Sequence, residues 1–196
     1  IKIMEGLLVV NSDLKKLAVK KGMKISHNIC YGNLNGYTVT LRDINNGRMI
    51  RELYISTVIN QDVKNKILEA LNSANAQKQY KIDFIDVNDS YISIGFVVSM
   101  GIMKRLEPFI DWFMPIVAAS GAQESICPEC GNPMQGDEVK KLLGGHAVCM
   151  HSACAQALIN NVKAEEEEFK NSESNAGKGL LGSVIFGLVS AIPWAV

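Results

Sequence analysis

The feature that most constrains this chain is a dense cluster of cysteine and histidine between Cys127 and Cys154. These 28 residues hold four of the five cysteines and two of the three histidines among the 196 residues. The cysteines are paired closely and lie beside histidines, which is typical of metal sites rather than of a disulfide framework. The cluster therefore predicts a metal site, and it indicates a reducing compartment for this part of the molecule.

The first predicted pair of ligands is Cys127 and Cys130, in the sequence Cys-Pro-Glu-Cys followed by Gly131. Sulfurs at positions i and i+3 can converge on one ion, and the glycine allows a tight turn behind them. The second pair is open, because four candidates follow: His146, Cys149, His151 and Cys154. His151-Ser-Ala-Cys154 leads into a strong helix-forming segment, so these two residues are expected one turn apart at a helix start. The helix dipole favours a thiolate there.

A knuckle, a hairpin over residues 133–149 and a helix-borne second pair resemble the treble-clef or zinc-ribbon type of zinc finger. The spacing Cys-x2-Cys-x20-His-x2-Cys carries this resemblance over about 30 residues. The resemblance implies one zinc ion with Cys127, Cys130, His151 and Cys154 as its ligands. Four protein ligands leave no open coordination position, so the zinc is expected to be structural rather than catalytic.

Two alternatives to this ligand set remain open. With His146 and Cys149 as the second pair, the spacing resembles the first half of a LIM-type finger. Alternatively, the cysteines bind no metal and act as unliganded thiols or a redox pair.

Residues 1–120 show the order strand, strand, helix, strand, strand, helix. Period-two alternation around Asn-rich turns predicts hairpins over 37–58 and 80–98, and three-four spacing predicts helices over 62–76 and 101–120. A further short helix is expected within Ser12–Lys24. The fold class is therefore α+β, with an antiparallel sheet of about four strands and helices on one face.

Several residues of this domain are interpreted as structural. Pro108 and Pro115 predict a kinked helix or two short helices over 101–120. His27 and Cys30 repeat the His-x2-Cys spacing without a nearby second pair, so they are interpreted as partly buried strand residues. The chain contains no phosphate loop, nucleophile elbow or His-Glu zinc-protease motif, so no catalysis is expected.

The C-terminal part changes character twice. Residues 163–178 form an acidic stretch, interpreted as a fraying helix end that passes into a linker. Residues 179–196 carry no charge and have about the length that begins to span a bilayer as a helix. Small residues recur every four positions and favour helix–helix association, and Trp194 is suited to the membrane interface. These small residues are Gly179, Ser183, Gly187 and Ala191.

The alternative for residues 179–196 is a buried soluble helix, which their glycine content and the absence of a polar face disfavour. The apolar run reaches the last residue, so we expect either a short tail anchor or a fragment whose membrane domain continues. An α+β domain, a Cys-Pro-x-Cys-Gly finger and an apolar segment together resemble bacterial membrane proteins of unassigned role.

Charge separates the predicted domains, which we place at 1–120 (α+β), 121–162 (zinc module), 163–178 (linker) and 179–196 (membrane helix). Residues 1–120 carry 15 basic and 11 acidic side chains, whereas residues 121–178 carry 5 and 9. The negative zinc module opposes a phosphate backbone, so nucleic acid is an unfavourable partner. We expect a membrane-anchored interaction or regulatory protein with residues 1–178 on the cytosolic side and an unknown protein partner. The alternative is a soluble zinc-dependent nucleic-acid-binding protein that uses the lysines of 15–24.

Overall fold

The computed structural model describes residues 12–26, 29–45, 47–124, 126–134 and 138–171. The helices of this part of the chain are α1 (Ser12–Lys20), α2 (Gln61–Ser73), α3 (Ala76–Tyr80), α4 (Met103–Ser120) and α5 (Ser152–Asn171). The strands are β1 (Lys24–Ser26), β2 (Ile29–Leu34), β3 (Tyr37–Asn45), β4 (Met49–Val58), β5 (Ile82–Asn88), β6 (Tyr91–Val97), β7 (Gln123–Glu124), β8 (Glu138–Leu143) and β9 (His146–His151). The predicted α+β class with a mainly antiparallel sheet is confirmed.

The chain divides into two compact units. The first contains the residues up to Ser125 together with Gly145–Val148, and the second contains Ile126–Gly144 and the residues from Cys149 onward. Strand β9 therefore begins in the first unit and ends in the second.

The first unit is built on a seven-stranded sheet in the order β1-β2-β3-β4-β6-β5, with β7 paired to the end of β4. These pairings are all antiparallel. The two predicted hairpins form its centre and one side, and three further strands enlarge the predicted set of about four. The β2–β3 hairpin closes on Asn35-Gly36, where both residues have positive φ, 52° and 92°. Asn-Gly is the pair that such a two-residue turn favours.

Helices α2 and α4 form where the sequence pattern predicts them. The side chain of Asn60 caps α2 by accepting a hydrogen bond from the Val63 backbone N–H at 2.9 Å. Of the two predicted alternatives for this segment, a kinked helix or two short helices, the second is excluded, because α4 is one helix that runs through Pro108 and Pro115. Both prolines lie on the exposed face of α4, where water can satisfy the carbonyls that lose their partners.

Alternate side chains of the central strands point to the face that the helices cover. Val39, Leu41, Leu53, Ile55, Ile92, Ile94 and Phe96 are buried there with helix residues Leu14, Leu17, Ile67, Leu71, Leu106, Phe109 and Phe113. This apolar face supplies most of the core of the first unit, because hydrophobic burial is the main favourable term in folding.

The opposite face of the central strands is polar and is nevertheless buried. Its buried members include Thr38, Thr40, Glu52, Ser56 and Ser93. Buried polar groups need hydrogen-bond partners, and part of this need is met by Gly145–Val148, which belongs to the same unit.

Strands β8 and β9 form a separate two-stranded sheet, and α5 follows β9 directly. Helix α5 continues to Asn171, so residues 163–171 of the predicted linker are helical. Residues 172–178 and the predicted membrane helix, 179–196, lie outside the described residues. Within the part of the chain that the structure describes, no helix has both the length and the apolar character needed to cross a bilayer.

Candidate metal centre

The first two candidate ligands are held by a tight turn. The Gly131 backbone N–H donates to the Cys127 carbonyl at 2.8 Å, and the Cys127 N–H donates to the Asn132 carbonyl at 2.9 Å. Gly131 has φ +70°, a conformation that suits glycine. The turn places Cys127 in a buried position and leaves Cys130 exposed.

The other two candidate ligands lie where β9 meets α5. His151 is the last residue of β9, and Cys154 lies in the first turn of α5, which begins at Ser152. The sequence analysis expected both residues on the helix. The chain instead remains extended through His151, and only Cys154 is helical.

The four side chains converge although they are spread over 28 residues of sequence. One ligand atom from each of Cys127, Cys130, His151 and Cys154 lies within 4.8 Å of the others. His151 Nδ1 is 3.4 Å from Cys130 Sγ and 4.0 Å from Cys154 Sγ. This group of three sulfurs and one imidazole can hold a metal ion.

The second nitrogen of His151 fixes the direction of the ring. Its Nε2 lies 3.0 Å from the Pro133 carbonyl oxygen, which can only accept, so Nε2 carries the proton and donates. Metal-binding histidines commonly donate their other N–H to such a partner. Together with the Cys130 sulfur, the Pro133 carbonyl raises the pKa of His151 to about 9. A metal ion bound at Nδ1 would replace the proton that this nitrogen carries in the protonated ring.

The environment of Cys127 favours its thiolate. Burial alone would favour the neutral thiol, but backbone N–H groups of His151, Cys130 and Glu129 donate to its sulfur. The net effect lowers the pKa of Cys127 to about 6. The thiolate is the form that binds metal, so this thiol is prepared for the role.

The environment of Cys154 has the opposite effect. Partial burial, and then the neighbouring sulfurs of Cys130 and Cys127, raise the pKa of the Cys154 thiol. Three thiolates repel one another at this distance, so full ionisation of the cluster requires a cation among them.

The two alternate ligands lie elsewhere. His146 Nε2 is 3.1 Å from Glu52 Oε2, and its ring stacks on Tyr54 with centroids 3.9 Å apart. Cys149 is half-buried in the middle of β9 and is not a member of the four-residue group found among the described residues.

The remaining cysteine is buried in the first unit. Cys30 lies in β2 with its thiol directed at the Leu14 carbonyl, 3.9 Å away, and burial raises its pKa to about 11. A buried thiol of this kind is chemically inert. Its sequence neighbour His27 lies outside the described residues.

The predicted membrane positions also lie outside the described residues: Gly179, Ser183, Gly187, Ala191 and Trp194. The carbonyl of Pro133 was missed by sequence reasoning, because a backbone acceptor leaves no residue-type signal.

Comparison of the chain with protein-family models, curated proteins and solved structures finds no match.

Proposed function

We propose that the four-residue cluster binds one structural zinc ion. Its support is the convergence of the ligand atoms of Cys127, Cys130, His151 and Cys154. Thiolate and imidazole ligands suit zinc, and a set of four matches its tetrahedral preference. With all four positions filled by protein, no site remains for water or substrate, so the ion stabilises the fold and does not catalyse a reaction.

The order of elements around the cluster supports a treble-clef module. A tight Cys-x2-Cys turn is followed by the β8–β9 hairpin and then by α5, which carries Cys154 in its first turn. Bound zinc would supply much of the folding stability of the proposed module, because a short segment buries little apolar surface of its own.

We propose that the whole chain is a membrane-anchored, non-enzymatic protein that acts in interaction or regulation. The α+β unit and the zinc module form its cytosolic part, where thiols remain reduced. The uncharged segment 179–196 forms the anchor and offers small residues for association with other membrane helices. The acidic balance of residues 121–178 favours a protein partner over nucleic acid.

Bound metal per chain tests the zinc proposal. Elemental analysis of protein purified without added zinc should give about one zinc per chain. Cys127→Ser and Cys154→Ser should lose it, whereas the matched control Cys149→Ser, on the same hairpin, should keep it. Metal-free wild-type protein in a fully reduced state would contradict the proposal, and loss of zinc in Cys149→Ser would contradict the ligand set.

Fractionation after mild lysis tests the membrane proposal. The full chain should stay with membranes through a high-salt wash, and deletion of residues 179–196 should release it. Soluble protein with salt-sensitive DNA or RNA binding would instead support the alternative of a nucleic-acid-binding protein.

A further inference from the structure

Access to solvent differs among the three cysteines of the candidate metal centre. Cys127 is fully buried, Cys154 is half-buried and Cys130 is exposed. All three belong to the second unit, as does His151. Cysteine oxidation follows thiolate character and exposure, and a sulfur that coordinates a metal ion is deprotonated. Cys130 is therefore the ligand that a small oxidant in solution meets first.

A second thiol that can react with an oxidised Cys130 lies in the same turn. Only Pro128 and Glu129 separate Cys127 from Cys130, and hydrogen bonds of the Cys127 carbonyl and N–H close the turn. The two sulfurs lie within 4.8 Å of each other. A displacement of at most about 3 Å therefore brings them to the length of a disulfide bond, about 2 Å.

Cys154 is the competing thiol, and its position disfavours it. It lies in the first turn of α5, a different element from the one that carries Cys130. The entropy cost of bringing two chain positions together rises with the length of the loop between them. Once an ion loses one ligand it holds α5 less firmly, whereas the turn keeps Cys127 beside Cys130. The disulfide is therefore expected between Cys127 and Cys130.

We propose that Cys130 is a site of oxidation by hydrogen peroxide and that its subsequent reaction with Cys127 releases the metal ion. This inference rests on the proposed zinc site, whose regulation it describes. The Cys130 thiolate attacks one peroxide oxygen, the O–O bond breaks, and the departing hydroxide takes a proton from solvent to form water. The Cys127 thiolate then attacks the sulfur of the resulting sulfenic acid. An S–S bond forms, the S–O bond breaks, and the second hydroxide leaves and is protonated. Two electrons pass from the two thiolates to the peroxide.

The disulfide removes two of the four ligands, because the thiolate is the form that binds metal. His151 and Cys154 then remain, which is too few for the closed tetrahedral site that a structural zinc ion requires. Since the free energy of metal binding is also free energy of folding, release of the ion loosens the module. A thiol reductant reverses the reaction by exchange, so the module responds to peroxide in a reducing compartment.

The first test treats zinc-loaded full-length protein with hydrogen peroxide. A chromophoric chelator follows the released zinc, and mass spectrometry of peptides prepared without reductant locates the disulfide. We expect about one zinc released per chain, an equal molar amount of disulfide between Cys127 and Cys130, and renewed zinc binding after reduction with dithiothreitol. Cys149→Ser should behave like the wild type, since Cys149 takes no part in the reaction.

Two variants separate the oxidation site from a general loss of ligands. Cys130→His keeps a zinc ligand but removes the exposed thiol, so it should retain zinc at a peroxide concentration that empties the wild type. Cys154→His is the matched control, because it makes the same exchange of ligand and leaves Cys127 and Cys130 intact. It should release zinc as the wild type does. The wild-type disulfide map tests the proposal without a variant if Cys130→His does not bind zinc.

The role of Cys130 would be overturned by wild-type protein that keeps its zinc at peroxide concentrations that oxidise free cysteine. A disulfide between any other pair, or equal zinc release from Cys130→His and Cys154→His, would also overturn it. Wild-type protein that contains no zinc before peroxide is added would instead refute the metal site itself, so the two failures are distinguishable.

Discussion

Replacing the buried carboxylate Glu52 by glutamine should destabilise the α+β unit in a way that depends on pH. Burial favours the neutral acid, but hydrogen bonds from His146 and Ser93 and the charge of Arg42 favour the carboxylate more strongly. The net effect lowers the pKa of Glu52 from 4.5 to about 2. Each pKa unit corresponds to about 1.4 kcal/mol, so the ionised carboxylate contributes up to about 3 kcal/mol at pH 7.

The sign of the pH dependence follows from the lowered pKa. The contribution is fully present above the unfolded-state pKa near 4.5 and is lost as pH falls toward the folded-state value near 2. Glutamine cannot ionise, so the stability difference between wild type and Glu52→Gln should be about 2–3 kcal/mol at pH 7. It should narrow steadily below about pH 5.

Urea unfolding at several pH values measures this difference. Trp112 packs in the first unit beside Phe109 and Tyr80, and its fluorescence reports that unit in a Trp194→Phe background. Acid also releases metal from thiolates, so the difference between the two proteins is compared at each pH rather than the wild-type curve alone. Glu69→Gln, on the exposed face of α2, is the matched control. A difference that stays constant from pH 7 to pH 3, or grows on acidification, would refute the reasoning.

Three further substitutions test the packing of the first unit, each by urea unfolding. Arg51 is buried and makes a two-pronged ion pair with Asp43, so Arg51→Met should cost about 3 kcal/mol. The double variant Arg51→Met/Asp43→Asn should recover much of the lost free energy of unfolding, and a cost equal to the sum of the two single costs would contradict the pairing. Gly95 lies against the Phe84 ring, which leaves no space for a Cβ atom, so Gly95→Ala should cost about 1–3 kcal/mol through overpacking. Adding Phe84→Leu should relieve that cost, and an equally stable Gly95→Ala single variant would disprove the crowding. Asn60→Ala should cost about 1 kcal/mol by removing the α2 cap, whereas Asn60→Asp should be tolerated; equal losses in both would argue against capping.

Local patterns predicted the central part of the fold. Period-two alternation located β3, β4, β5 and β6 to within a few residues, because one face of each strand is apolar and the other is not. The hairpin between β2 and β3 had a usable signal, Asn35-Gly36, that the sequence analysis did not use. Strand β7 had no sequence signal, since its two residues pair with β4 only because the rest of the fold brings them beside that strand.

For the candidate metal centre, the sequence indicated the cysteine pairs better than it indicated the elements and contacts around them. Close cysteine pairs are a specific signal because the coordination geometry of zinc restricts their spacing. The end of β9 at His151 was harder to predict, because helix boundaries depend on caps and on tertiary contacts. The contact between His146 and Glu52 joins residues 94 positions apart, and neither residue type nor periodicity identifies such a pair.

The small apolar content of the second unit bears on what its metal would do. Among the described residues of that unit, the buried apolar side chains are Cys127, Met150 and Ala155. So few buried groups contribute little hydrophobic free energy, at about 25 cal/mol per Å² of apolar surface. The proposed metal ion would then be the principal further source of stability for this unit, since the free energy of binding is also free energy of folding. An ion in this proposed role, enclosed by four protein ligands, is suited to holding a surface in shape for a partner, which is why we favour interaction over catalysis.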